Sequence, residues 1–169
     1  MTFTLDVPLN DFVVSISNAI DLTTPLLAGH HKRVAYLAWN IADAMGLGTK
    51  EKELIITAAL IHDVGCLSLQ DRLDTLEFET KNPSYHCRVG ELVLREFEPL
   101  KEVAEIIGRH HAPWAGGNGN GAAAPVAAHV IHLADRIDIL VDRGDKILHQ
   151  EYRVFGRVAE ETGEKVLPE

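Results

Sequence analysis

Apolar residues recur every three or four positions along most of this chain, and no stretch of useful length alternates with the two-residue period of a strand. A first helix is expected over about Leu9 to Asp21. A second runs over about Ala28 to Met45, with Val34, Leu37, Ile41 and Met45 on one face, and is stopped by Gly46 and Gly48. Thr49 reads as the N-cap of a third helix, with Glu51 and Glu53 at the positive end of its dipole and Leu54 to Asp63 along its length. Gly65 to Lys81 is less regular. Asn82-Pro83 and Glu98-Pro99 each place a proline in a first helical turn, opening helices to about Phe97 and about His111. Ala112 to Ala124 holds four glycines, two asparagines and a proline and reads as a loop. Pro125 then starts a long helix to about Arg143, and a last helix covers Asp145 to about Glu161. This predicts an all-α fold, one bundle of about six to eight helices over residues 1–169, with no internal repeat or low-complexity linker.

Polar residues that interrupt the apolar rows carry the chemistry. His30 precedes Val34, Leu37 and Ile41; His62 follows Ile55 and Ala59; Asp63 follows Ile56 and Leu60; His86 precedes Gly90, Val93 and Phe97. His110 follows Val103 and Ile107, and His111 follows Ala104 and Ile107, so both rings can point inward. Asp135 lies opposite an apolar face formed by Val126, Val130, Leu133, Ile137 and Leu140, among Ala124, Ala128, Ile131 and Ile139. A helix apolar on two sides is buried on two sides. A single buried histidine is usually a hydrogen-bonded core residue. Five helices each sending one or two such groups inward is different, because every unsatisfied group costs about 1–3 kcal/mol. Imidazoles and carboxylates without thiolates suit first-row metals such as iron, manganese or zinc, and seven ligands exceed what one ion takes. Two ions bridged by one carboxylate fit better.

Composition bounds the rest. At 169 residues with 46% apolar and 24% charged positions, the chain is an ordinary globular domain. A net charge of −9 argues against a nucleic-acid polymer or an anionic membrane as partner, and no apolar run approaches the ~20 residues of a membrane span. Met1 to Asn10 has no signal-peptide pattern, so the expected location is cytoplasmic and the two cysteines, Cys66 and Cys87, are expected as reduced thiols.

The order and spacing of these residues resemble the HD superfamily of metal-dependent phosphohydrolases, and within it the HD-GYP branch, over nearly the whole chain. His30-His31-Lys32-Arg33-Val34-Ala35 resembles the first-histidine motif, and Ala58-Ala59-Leu60-Ile61-His62-Asp63-Val64-Gly65 the signature that names the superfamily. His86-Cys87-Arg88-Val89-Gly90 is similar to the third motif, His110-His111 to the histidine pair, and Ala134-Asp135-Arg136-Ile137-Asp138 to the final aspartate motif. The resemblance implies an HD-type helical bundle holding two divalent ions, iron or manganese first, with zinc, nickel or magnesium as alternatives. It implies one ion on His30, His62, Asp63 and Asp135 and the other on Asp63, His86, His110 and His111, with Asp63 as the bridge. Some members bind a third ion through a glutamate one turn before the first histidine; here that position is Leu26.

By the same resemblance the activity is phosphodiester hydrolysis of a cyclic dinucleotide, cyclic di-GMP first, by a hydroxide bridging two ions about 3.5–4 Å apart. Asp63 would be central to catalysis, and Arg143 would clamp a phosphate oxygen. The departures are specific. The histidine pair leads into Ala112-Pro113-Trp114-Ala115-Gly116-Gly117 and lacks the branch's Gly-Tyr-Pro, and Cys66 stands where a lysine is usual. Two other readings stand beside the enzyme: a non-catalytic module that keeps its metals and binds a partner, as a homodimer or a tandem half of a longer protein, and a dimetal redox or oxygen-responsive centre. His129 and His132 share a strip with Arg136 and Arg143 and read as solvated; His31 and His149 read as surface residues. Cys66 reads as a small buried residue more readily than as a redox-sensitive thiol, and Trp114 as a base-stacking platform or a loop anchor.

Overall fold

The computed structural model describes residues 6–77, 83–114 and 124–161. Eight α-helices and no strand occur among the described residues: α1 Leu9–Asp21, α2 His30–Ala44, α3 Thr49–Leu60, α4 Leu69–Asp74, α5 Pro83–Leu94, α6 Lys101–Ile107, α7 Val126–Leu140 and α8 Glu151–Ala159. The predicted all-α bundle is what forms, and no described helix is long and apolar enough to cross a bilayer.

Helix α2 packs against both α3 and α7, α3 also meets α6 and α7, and α5 pairs with α6. Small residues make this close approach possible: Ala35, Ala38 and Ala42 on α2, Ala58 and Ala59 on α3, and Ala128 and Ala134 on α7 are all buried. Val34, Ile55, Ile61, Leu100, Ile107 and Ile131 fill the space between them. Truncating one of these large side chains to Ala would cost about 2–5 kcal/mol, since a close-packed core relaxes only partly around a hole.

The helix ends differ from the sequence expectation in a way that matters for the site. Helix α3 stops at Leu60 instead of running to Asp63, because Ile61 leaves helical geometry (φ −135°, ψ 21°) and its N–H donates to Ala58 O. Tight turns follow, with Val64 N–H donating to Ile61 O and Cys66 N–H to Asp63 O. Helix α6 likewise ends at Ile107 rather than His111, and α7 at Leu140 rather than Arg143. Helix α5 ends at Leu94, before the expected Phe97, and the last helix starts at Glu151 after a 3-10 turn over Ile147–Gln150. Gly48, not Thr49, precedes the first residue of α3, and its N–H donates to the Glu51 carboxylate at 2.9 Å. The stretch expected to be irregular after Gly65 contains α4, whose start is capped by Ser68 accepting from Asp71 N–H at 3.0 Å. Helix α2 begins at His30 rather than Ala28 because Gly29 takes a left-handed conformation (φ 71°), which favours glycine. Most of the expected glycine-rich loop, including Gly116 and Gly117, lies outside the described residues, as does Asn82.

One backbone contact sets the geometry of the interior. A Cβ at Gly65 would stand 2.0 Å from His86 O and 2.5 Å from Gly90 N, and one at Gly90 would meet Ile107 at 2.8 Å. The turn after α3 therefore lies flat on the α5 backbone, a closeness that only glycine permits. It carries Asp63 up to His86.

Candidate metal centre

All seven predicted ligands converge. His30 comes from the first turn of α2, His62 and Asp63 from the turn after α3, His86 from α5, His110 and His111 from the turn after α6, and Asp135 from α7. His30, His62, Asp63, His86, His110 and Asp135 are buried. The side chains fall into two sets joined at Asp63. On one side His62 Nε2 lies 3.4 Å from Asp63 Oδ2 and 3.8 Å from Asp135 Oδ1, and His30 Nε2 lies 3.4 Å from Asp135 Oδ1. On the other, Asp63 Oδ1 lies 3.4 Å from His86 Nε2 and 3.8 Å from His110 Nε2, while the two Nε2 atoms are 3.3 Å apart. His111 belongs to this second set.

These separations exceed the roughly 2.7–2.9 Å of a charge-assisted hydrogen bond. Those of 3.3–3.4 Å match the edge of a tetrahedral coordination shell instead, where bonds of about 2.0–2.1 Å put neighbouring ligand atoms roughly 3.3–3.4 Å apart, and the two of 3.8 Å are wider than that edge. Buried His62 Nε2, Asp63 Oδ1 and His111 Nε2 have no hydrogen-bond partner, and all three belong to the converging sets. An all-imidazole and carboxylate donor set with orphaned atoms turned inward fits two first-row divalent cations.

The chain fixes the rings by local means that periodicity did not reveal. His62 Nδ1 lies 2.9 Å from Ala59 O, and His110 Nδ1 lies 2.8 Å from Ile107 O. Each carbonyl is an otherwise unpaired acceptor at the C-terminal end of a helix. Donating there selects the tautomer whose Nε2 lone pair faces the pocket. Helices that continued to Asp63 and His111 would consume those carbonyls, so the early ends of α3 and α6 are part of the site.

Electrostatics follow from burial opposed by close partners. Burial disfavours the charged form of His30, but the carboxylates of Asp135 and Asp138 on either side of its ring outweigh it and raise its pKa to about 10. His110 is also lifted well above the usual imidazole range, against burial, by Cys87 and Asp63. Burial works against ionised Asp63 and Asp135, yet His62, His110 and His86 hold the first well below the carboxylate range, and Arg136 with His30 and His62 does so for the second. Burial and the neighbouring His110 push His111 well below its usual value.

Several side residues sit elsewhere than expected. His31 is fully buried, not exposed, with Nδ1 2.6 Å from Asp21 Oδ1. The strip on α7 is not solvated: His129, His132 and Arg136 are buried, and Arg136 donates to Asp135 Oδ2 at 2.6 Å. Burial, with Arg136 nearby, takes His132 down to about 3. Val126, expected in the core, is exposed, and the more buried face of α7 is the one bearing Ala128, Ile131 and Asp135. Cys66 is buried and free, and burial together with Asp63 pushes its thiol pKa up, the opposite of a reactive thiolate. His149 is exposed, as expected. Trp114 stands edge-on to His129 at 4.9 Å. Arg143, expected to clamp a phosphate, ion-pairs with Asp138 and donates to Asp138 O and Val141 O.

An all-α bundle whose helices close imidazoles and carboxylates around a shared aspartate is the architecture of a helical metallohydrolase. The HD-domain family model matches residues 27–140, the span from just before His30 to the end of α7. The chain belongs to the HD-domain family, and its relatives are of the HD-GYP type. It is 32% identical over 142 residues to a 3'3'-cGAMP-specific phosphodiesterase 1 of Vibrio cholerae, covering 80% of this chain and 32% of that protein. It is 32% identical over 127 residues to a cyclic di-GMP phosphodiesterase of Thermotoga maritima, covering 68% of this chain and 34% of that protein. The response regulator RpfG of Xanthomonas campestris, a cyclic di-GMP phosphodiesterase, is 28% identical over 121 residues, covering 65% of this chain and 32% of its own length. The chain thus spans about a third of the curated relatives it matches. No solved structure matches.

Proposed function

We propose that this chain is a dinuclear-metal phosphodiesterase acting on a cyclic dinucleotide, with cyclic di-GMP and 3'3'-cGAMP as the substrates to test first. The observation that carries the reading is the division of Asp63, whose two carboxylate oxygens face two separate histidine sets. The names of the relatives support the substrate class. His30, His62, Asp63 and Asp135 would hold one ion, and Asp63, His86, His110 and His111 the other. Bound there, a pair of divalent ions supplies Lewis-acid activation of water near neutral pH and neutralises charge developing on the phosphodiester. Asp63 bridges the sets and, kept ionised, presents one oxygen to each. His62 and His110 arrive with their rings already oriented by the helix-end carbonyls, so no reorganisation is needed when the site fills.

A second reading has its own support. The position where a lysine is usual carries the buried Cys66, and the Arg143 guanidinium is engaged by Asp138, so two cations expected at the substrate phosphate are committed elsewhere or absent. That favours a module that keeps its metals without turning over substrate. One experiment separates the two: load the purified chain with Mn²⁺ or, anaerobically, Fe²⁺, and assay bis(p-nitrophenyl) phosphate, cyclic di-GMP and 3'3'-cGAMP. Hydrolysis that disappears in Asp63→Asn establishes the enzyme; two bound ions with no turnover of any diester would establish the module.

A further inference from the structure

Behind the converging ligands, a heavily charged contact is built on Asp138, a buried carboxylate on α7 one turn after Asp135. Its Oδ2 lies 2.8 Å from His30 Nδ1 and accepts from Arg33 Nη2 at 3.2 Å, and its Oδ1 accepts from Arg33 Nε at 2.8 Å and from Arg143 Nη2. Arg33 grips both oxygens as a fork, a geometry lysine does not reproduce. Its Nη1 also donates to Ala28 O at 2.7 Å, and Arg143 Nη1 donates to Asp138 O at 3.0 Å, so each arginine is anchored to backbone. The Asp138 side chain is 4% exposed against 35% and 39% for the two arginines, which places them between the carboxylate and water.

We propose that Asp138 is a positioning residue for the ion on the His30 side, and that Arg33 acts through it. The proposal rests on the two-ion reading above. A neutral imidazole holds one proton, and a carboxylate at Nδ1 keeps that proton on Nδ1, leaving the Nε2 lone pair facing Asp135. A bare buried carboxylate would be costly, and the two guanidiniums offset that cost. The assignment also follows from a contrast among ligands. His62 and His110 are oriented by backbone carbonyls, which no side-chain substitution removes. His30 depends on a side chain from another helix.

The test is Mn²⁺ titration of the whole chain, reading free Mn²⁺ by electron paramagnetic resonance, with the melting temperature of the metal-free protein as a fold control. Wild type should take up two ions, and His30→Ala identifies the step that depends on His30. Asp138→Asn should weaken that same step by about 10- to 100-fold, the usual size of such outer-sphere losses, and leave the other within about threefold. Arg33→Lys should weaken the same step by a smaller factor, and it decides the question if Asp138→Asn does not fold. Parallel loss of both steps with a lowered melting temperature, or two unchanged steps, overturns the proposal. A wild-type chain that takes up fewer than two ions sinks the two-ion reading, and the proposal with it.

Discussion

The two sides of the pocket are built from the same kinds of ligand but backed differently. Around His30 and Asp135 the support is ionic and long-range: Asp138, Arg33 and Arg143 behind His30, and Arg136 on Asp135. Around His86 and His110 it is local: the Ile107 carbonyl three residues back, and the Cys87 sulfur 3.5 Å from His110 Nδ1, its pKa drawn down to about 6 by His110 and His86. The first side joins α2 to α7, which are far apart in sequence. The second is assembled by α5 and α6, which are adjacent. An ion on the first side should therefore answer to remote charge mutations, whereas one on the second should answer mainly to its own ligands.

Asp63 is the residue the two sides share, so its loss should have the largest effect. Asp63→Ala is expected to abolish both Mn²⁺ uptake steps and to lower diester hydrolysis by about a thousandfold or more, whereas Asp135→Ala should remove only the step that His30→Ala removes. Two intact uptake steps in Asp63→Ala would falsify the bridge and dissolve the comparison into two independent sites.

Acidity probes both sides at once. In the metal-free chain His30 titrates near 10 and His110 well above the usual range, so each carries an extra proton at neutral pH. A cation must displace that proton. Affinity should consequently rise with pH from 7 towards 10, about tenfold per unit for each proton expelled. The stability linkage has the opposite sign. A raised imidazole pKa stabilises the metal-free fold fully below about 6.5, and that contribution is lost as pH climbs through about 10. Mn²⁺ titrations at three pH values together with metal-free melting curves check both statements, and a pH-independent affinity would contradict the protonated state assigned to these rings.

The seam between the sides is Gly65. Gly65→Ala places a methyl group against His86 O and Gly90 N, where nothing can yield without backbone movement. The cost should be about 3 kcal/mol, lowering Tm by roughly 6–12 °C for a domain of this size, and the displacement of Asp63 from His86 should weaken the uptake step on the His86 side more than the one on the His30 side. Thermal melts and the Mn²⁺ titration read the two effects separately.

What was legible in the sequence was whatever repeats at helical spacing. The apolar rows located α1, α2, α3, α5, α6 and α7, and the histidines and aspartates ending or interrupting those rows were the ones that converge. Periodicity misled at the helix ends. It extended α3 and α6 through their histidines, because it counts faces and does not register that an imidazole competes for the last free carbonyls. The α7 strip fared worse. His129, His132 and Arg136 look like a solvent face by polarity alone, but each is buried, with the His111 and His132 rings 5.0 Å apart, Trp114 edge-on to His129 and Arg136 donating to Glu77 O. His31 was unreadable for a similar reason: its partner, Asp21, ends another helix. Asp138 left a clue, being three residues beyond Asp135 and hence on its face of α7, but the spacing does not say which carboxylate faces the pocket and which supports a ligand.

The smallest effect should come from Cys87, and its size discriminates between backing and ligation. The thiol lies 3.8 Å from His86 Nε2 as well as 3.5 Å from His110 Nδ1, and although burial opposes its ionisation, His110 and His86 bring its pKa down to about 6. If the sulfur only supports His110, the Ile107 carbonyl continues to hold the ring when the sulfur goes. Cys87→Ser should then change the uptake step on the His86 side by less than about threefold, below the usual outer-sphere loss, and leave the step on the His30 side untouched. A loss well beyond about 100-fold confined to the step on the His86 side would instead make the sulfur a direct ligand, and a soft donor on one side only would turn a difference in backing into a difference in metal preference.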